Sequence, residues 1–336
     1  LAGRGDRGSA GTAIWLALRL LGAGPLLILA ILILGVGITT PVFLTSANIS
    51  NILAQTSVIA IVALGQHLVI LTRGIDLSVG ANLALATVVG GLLFKVTGSS
   101  AVIIAAMLAV GLVVGFVNGA VYVFGRLPHP FIITLATLSI CRGIAYTIAV
   151  NHTTMRGMPD VVALIGGGET LGIPNPFIVV VVCAGLVLLM SKAMVWGRWI
   201  YAVGGAPEAA VEMGIPVRWV LVSTYVIAGL YCGIGAVVLA GRTESTSPLF
   251  GNLLELDTIA AVIIGGASFL GGRGHVGHAM IGAVMIGVIR NALNLNNVDA
   301  FFQMIAIGLV IVIAVEADVL RGYLESRART LQAATP

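Results

Sequence analysis

Between residues 20 and 316 one apolar run follows another, and several approach or exceed the roughly 18–20 residues that cross a bilayer. That succession leaves few folds open. A chain surrounded by hydrocarbon must pair every backbone N–H and C=O internally, which allows helices or a closed barrel. A barrel needs short strands of alternating polarity, and the sequence has none. With 59% hydrophobic and 9% charged residues, and a mean hydropathy of +1.11, the chain cannot cover a soluble surface. The expectation is an all-α, polytopic membrane protein with about ten transmembrane helices, some of them short or broken. They fall at roughly 20–40, 48–71, 79–97, 101–124, 130–149, 176–193, 219–241, 257–270, 276–291 and 299–316. The eighth and ninth sit near the lower limit for crossing and read as tilted, broken or re-entrant. Residues 1–19 form a flexible N-terminal segment, 20–316 the membrane domain and 317–336 a tail.

The net charge of +4 suggests nucleic acid only if position is ignored. The basic residues stand at segment ends, where they report topology. Of the 17 Lys and Arg, only Lys95, Arg142, Arg156, Arg242 and Arg290 lie outside when both termini are cytoplasmic. The excess inside favours that orientation. It puts residues 194–219 in the cytoplasm, and the 150–176 and 242–255 loops on the outer face. Cys141, Cys183 and Cys232 all fall within apolar segments and read as small buried residues. His275 and His278 are three apart with no third ligand nearby, so no metal site is expected. The glycines at 271–274 are not followed by Gly-Lys-Ser/Thr and form no phosphate loop.

Residues 196–219 break the apolar pattern with WGRWIYAVGGAPEAAVEMGIPVRW. Gly204 and Gly205 loosen the backbone, and Pro207 suits a first helical position, where its missing N–H has no helical partner. Glu208 meets the positive end of the helix dipole. Gly214 can take the left-handed conformation that ends a helix, and Pro216 follows as a stop. A helix of about two turns is unstable alone, so it must lean on something.

Other stretches carry polar or small residues inside apolar surroundings. Asp76 and Ser78 precede the third span and read either as N-caps or as part of a binding or gating element. Gly111, Gly115 and Gly119 in the fourth span, and Gly229 and Gly233 in the seventh, read as helix–helix contacts. Arg142 sits about 18 Å along the fifth span and must face the interior or an aqueous cavity. It either ties loop carbonyls near the outer end or touches a solute. The glycines around 265–274 suggest bending beside a cavity or partner helix.

No hydrolase or metalloprotease motif is present, and no acidic pair stands within a span. Ion-coupled carriers and proton pumps use ionisable groups within the membrane, and Arg142 is nearly alone there. Many spans, little internal charge, no nucleotide motif and a defined cytoplasmic helix describe a channel-forming subunit driven by another polypeptide.

Four stretches then carry a resemblance: GIDLSVG at 74–80, PFIITLATLSICRGIA at 130–145, YAVGGAPEAAVEMGI at 201–215 and LDTIAAVIIGGASFLGGRG at 256–274. With NALNLNNVDAFFQMIAIGLVIVIAV at 291–315, they make the chain similar to permease subunits of bacterial ABC importers for monosaccharides, over about residues 35–319. The resemblance implies a multi-pass inner-membrane permease, paired with a second copy of itself or with a second permease, two cytoplasmic ATPase domains and a periplasmic sugar-binding protein. ATP and Mg would bind the ATPase, leaving this chain without a cofactor. Glu208, Ala209, Ala210 and Gly214 match the docking motif E-A-A-x-x-x-G, and the Ile and Leu-Pro of its longer form are missing. Glu212 lies one turn from Glu208, so a basic groove on the partner would relieve their repulsion, and Ala209, Ala210 and Met213 offer an apolar face. For an uncharged sugar, the path candidates are neutral hydrogen-bonding residues within spans: Gln55, Gln66, Asn118, Thr134, Thr137, Ser139, Asn294 and Gln303. Asp76, Ser78 and Arg142 join them as path or gating candidates. A permease for a polyol or nucleoside, or a stand-alone facilitator or secondary carrier, stays open as an alternative.

Overall fold

The computed structural model describes residues 25–149 and 155–333. The expected segment 1–19 lies outside the described residues. Helix α1 (Pro25–Thr39) is followed by α2 (Ser46–Leu71), α3 (Val79–Thr97), α4 (Ser100–Phe124) and α5 (Phe131–Ile148). A short strand β1 (Met155–Arg156), helix α6 (Asp160–Gly167) and the hairpin β2 (Glu169–Thr170) and β3 (Ile173–Pro174) come next. Then follow α7 (Asn175–Ala193), α8 (Val195–Gly205), α9 (Pro207–Glu212) and α10 (Val217–Thr243). Strand β4 (Ser245–Thr246), α11 (Leu254–Ile264), α12 (Val276–Leu295) and α13 (Ala300–Ala333) complete the order.

Among the described residues, seven helices are long and apolar enough to cross a membrane: α2, α3, α4, α5, α7, α10 and α12. Two shorter apolar helices add to them, α1 and the 300–316 part of α13. The chain is an all-α, multi-pass membrane protein. The expected eighth span at 257–270 takes another form. Helix α11 has 11 residues, about 16 Å of rise, roughly half the hydrocarbon thickness. The ninth, expected to be short, has 20 residues. Helix α13 runs unbroken past residue 316 into the expected tail.

Helices α2, α3 and α10 are mostly buried, while α4, α5 and α7 turn large apolar side chains outward. Among α-helices in lipid, burial is decided by packing rather than by hydrophobicity, because tails are as apolar as leucine. The tightest contact joins the two glycine stripes. A Cβ at Gly111 would strike the Gly229 carbonyl, and one at Gly115 the Tyr225 carbonyl. Helices α4 and α10 therefore meet backbone to backbone.

The outer loop expected at 150–176 contains α6, which packs on α10 where Gly166 and Gly241 face each other. After α10 the chain folds back. Strand β4 pairs antiparallel with β1, and Gly251, at φ +66°, lies against Gly80 at the start of α3. This stretch leaves carbonyls outside any helix. The Arg142 guanidinium donates to two of them, on Pro248 and on Phe250. Carbonyls outside a helix need partners of this kind where they are shielded from water, as at buried Pro248. Of the two readings of Arg142, the tie to loop carbonyls is the one the geometry contains.

Candidate functional site

The stretch at 196–219 folds as two short helices, α8 and α9, joined at Ala206. Pro207 occupies the first turn of α9, as expected. At the far end Gly214 has φ +74°, its N–H donates to Val211 O at 3.0 Å, and Ile215 N–H donates to Ala210 O at 3.0 Å. This pair of bonds closes the orphan carbonyls of a helix end in a Schellman turn. The exposed surface of α9 differs from expectation at one residue. Ala210 is 1% exposed and packs inward, whereas Val211 (63%) and Met213 (71%) stand out beside Glu208, Ala209 and Glu212. A six-residue helix must anchor itself on one side, and the small side chain of Ala210 lets it sit close to the core.

The glycines before α9 do not loosen the chain. Gly204 and Gly205 end α8 at a three-way junction. A Cβ at Gly204 would collide with the Leu71 carbonyl at the end of α2, and one at Gly272 with the Gly205 backbone. Gly272 N–H donates to Leu71 O at 2.9 Å, and Tyr201 OH donates to Gly274 O at 2.9 Å. Arg73 completes the junction, with Nε donating to Gly204 O at 2.6 Å and Nη2 to Gly205 O at 2.8 Å. The end of α2, the end of α8 and the 271–274 turn are thus one contact. His275 caps α12 beside it, its Nδ1 accepting from Gly277 N–H at 3.1 Å. Burial, then the nearby His278 and Lys192, hold its imidazole below the ordinary histidine range.

The second site is a buried polar network at the start of α3. Asp76 Oδ1 accepts from Ser78 N–H at 2.8 Å and from Ser78 OH at 2.6 Å. Asn118 on α4 donates from Nδ2 to Ser78 Oγ at 2.8 Å and more weakly to Asp76 Oδ2 at 3.5 Å. Thr137 on α5 donates to Asn118 Oδ1 at 2.7 Å, and Thr134 reaches Ile75 O at 3.4 Å. Gln66 on α2, with its amide oriented to satisfy both partners, donates to Asp76 O and accepts from Asp76 N–H at 3.2 Å. Four helices meet through one loop. Ser78 stands at the N-cap of α3 without capping it through its side chain; that hydroxyl goes to Asp76 instead.

The remaining sequence candidates lie elsewhere. Ser139 faces outward and bonds back to Leu135 O at 3.3 Å. Asn294 and Gln303 pair with each other at 2.8 Å on the exposed turn between α12 and α13. Gln55 is half-buried on α2. Two features escaped the sequence reading. Arg290 on α12 donates to both oxygens of Asp257 on α11, at 2.8 and 2.6 Å, an ion pair between residues 33 positions apart. Arg73 was read only as a topology charge, and nothing in its neighbours signals a bond to residues 131 and 132 positions away.

Comparison with known proteins now adds to the geometry. Residues 48–315 match the model of a family described as the branched-chain amino acid transport system / permease component. The ribose import permease of Bacillus subtilis is 41% identical over 299 residues, covering 88% of this chain and 92% of that protein. The ribose import permease of Haemophilus influenzae is 38% identical, covering 86% and 90%. The D-allose transport system permease of Escherichia coli is 37% identical, covering 88% and 90%. No solved structure matches the chain. With a family model spanning residues 48–315 and relatives aligned over nearly their whole length, the chain belongs to this family of importer permeases.

Proposed function

We propose that this chain is the membrane-spanning subunit of an ATP-driven importer that moves a monosaccharide, ribose or a similar pentose or hexose, into the cytoplasm. The observation that carries the reading is α9, a capped helix whose exposed face holds two carboxylates and two large apolar side chains. A face of that chemistry fits a groove with basic walls and an apolar floor on a separate ATPase, which binds the ATP and Mg. Relatives named for ribose and allose support the sugar class, and the scarcity of charge in the spans supports a neutral solute. A periplasmic sugar-binding protein delivers the solute to the outer face. A second permease copy completes the pore within the lipid, and both termini lie in the cytoplasm with α9. The network from Asp76 to Thr137, with Gln66, fixes the start of α3 and acts in gating.

The test is reconstitution in proteoliposomes with labelled ribose, allose and fructose. Uptake should require the ATPase, the binding protein and ATP together. Flux through the permease alone would refute the reading. Glu208→Lys puts a cation against the basic groove, and Gly214→Pro forbids φ +74° at the helix end. Each variant should elute as folded protein, lose the co-purifying ATPase and lose uptake.

A further inference from the structure

We infer that Arg73 is the positioning residue that transmits movement of α8 and α9 to the Asp76 network. The inference rests on the docking role proposed for α9. Arg73 touches both sites, bonded to the end of α8 and three residues ahead of Asp76 in the chain. Its guanidinium holds the last two carbonyls of α8, and α9 begins after one further residue, Ala206. Three residues on from Arg73, Asp76 gathers Ser78, Asn118 and, through Asn118, Thr137. A movement of α8 thus has a short covalent and hydrogen-bonded route to α3, α4 and α5.

The route is stiff at each step. The guanidinium is planar, and two parallel donors fix both distance and angle where a single ammonium would fix only distance. Its charge also suits the negative end of α8, whose last carbonyls lack helical partners. On the α2 side, the N–H groups of Thr72, Arg73 and Gly74 donate to Val69, Ile70 and Val69 carbonyls at 2.9–3.1 Å. Arg73 itself has φ +65°, the left-handed conformation of a helix-ending Schellman turn, which those bonds hold in place. Gly271 leaves room for the stem, since a Cβ there would strike Arg73 Cγ. A pull on α8 therefore turns the 72–76 segment rather than stretching a slack loop.

The experiment uses the complete importer with its ATPase and binding protein, and reads sugar moved per ATP hydrolysed. Arg73→Gly suits the left-handed backbone and removes the fork together with its stem. It should keep the co-purifying ATPase and basal hydrolysis within twofold, yet lower sugar per ATP at least tenfold. Arg73→Lys, able to reach one carbonyl at a time, should recover part of that loss. Wild-type sugar per ATP in Arg73→Gly would overturn the inference. So would loss of the ATPase from Arg73→Gly, which would make Arg73 part of the docking contact, and so would failure of both variants to fold. The docking reading fails separately, if Glu208→Lys keeps its ATPase.

Discussion

The Asp76 carboxylate is the acceptor on which donors from Ser78 and Asn118 converge. Its Oδ1 takes both the N–H and the hydroxyl of Ser78, so a side chain without oxygen strands two buried donors and weakens the hold on Asn118. Stranding a buried polar group costs about 1–3 kcal/mol. Asp76→Leu should lower the melting temperature in detergent by several degrees and Asp76→Asn, which keeps one oxygen, by clearly less. An equal loss in both would show that Oδ1 is not what matters. The sequence made Asp76, Ser78, Asn118 and Thr137 visible because polar atoms are rare in apolar runs. It could not sort Thr137 from Ser139. Two residues apart is about 200° around a helix, so the two side chains face opposite ways. Outward and inward faces of a membrane helix are equally apolar, and no hydrophobic stripe marks the difference.

At the scale of elements, glycine placement decides which helices touch. Gly111 and Gly229 leave no space for a side chain between α4 and α10, whereas Gly143 on α5 has open space around it. Gly111→Val should leave little folded protein, and Gly143→Ala should behave as wild type; size-exclusion profiles of a fluorescent fusion measure both. That contact was legible, because four-residue spacing of glycines reads as a helix interface. Helix α11 was only half legible. The stretch at 265–270 is as apolar as a helix, and it bends because Gly265 must approach the His278 backbone and Gly266 takes φ +85°. Its ion pair with α12 was hidden for the same reason: Asp257 and Arg290 are 33 positions apart and meet only after the bend. The pair is partly buried, and removing one member leaves the other charge uncompensated in apolar surroundings. Asp257→Leu should therefore destabilise strongly and Asp257→Leu with Arg290→Leu much less, a difference that thermal unfolding of the single and double variants would reveal.

For the whole molecule, the arrangement is a buried centre of α2, α3 and α10 with the proposed docking and gating elements at one end. The junction at Arg73, the capped α9 and the loop before α3 all lie where α2 finishes. In the proposed orientation that end faces the cytoplasm. A cysteine in place of Val211 should then react with a membrane-impermeant maleimide from the cytoplasmic face only; labelling from outside would reverse the orientation. Length and apolar runs were enough to give the class of fold, since nothing but helices suits such a chain. They could not show that three distant segments meet at one point, because Gly204, Gly205, Gly271 and Gly272 lack the four-residue spacing of a helix contact and do not say which segment they meet.

The three native cysteines bear on every experiment of this kind. Cys141, Cys183 and Cys232 are free, and each is buried among packed helices. A water-borne thiol reagent finds no native target on them. The unaltered chain can serve as its own blank for spectroscopic probes, and spin labels or fluorophores on α9 and α3 can follow the working cycle without first stripping the protein of its sulfur.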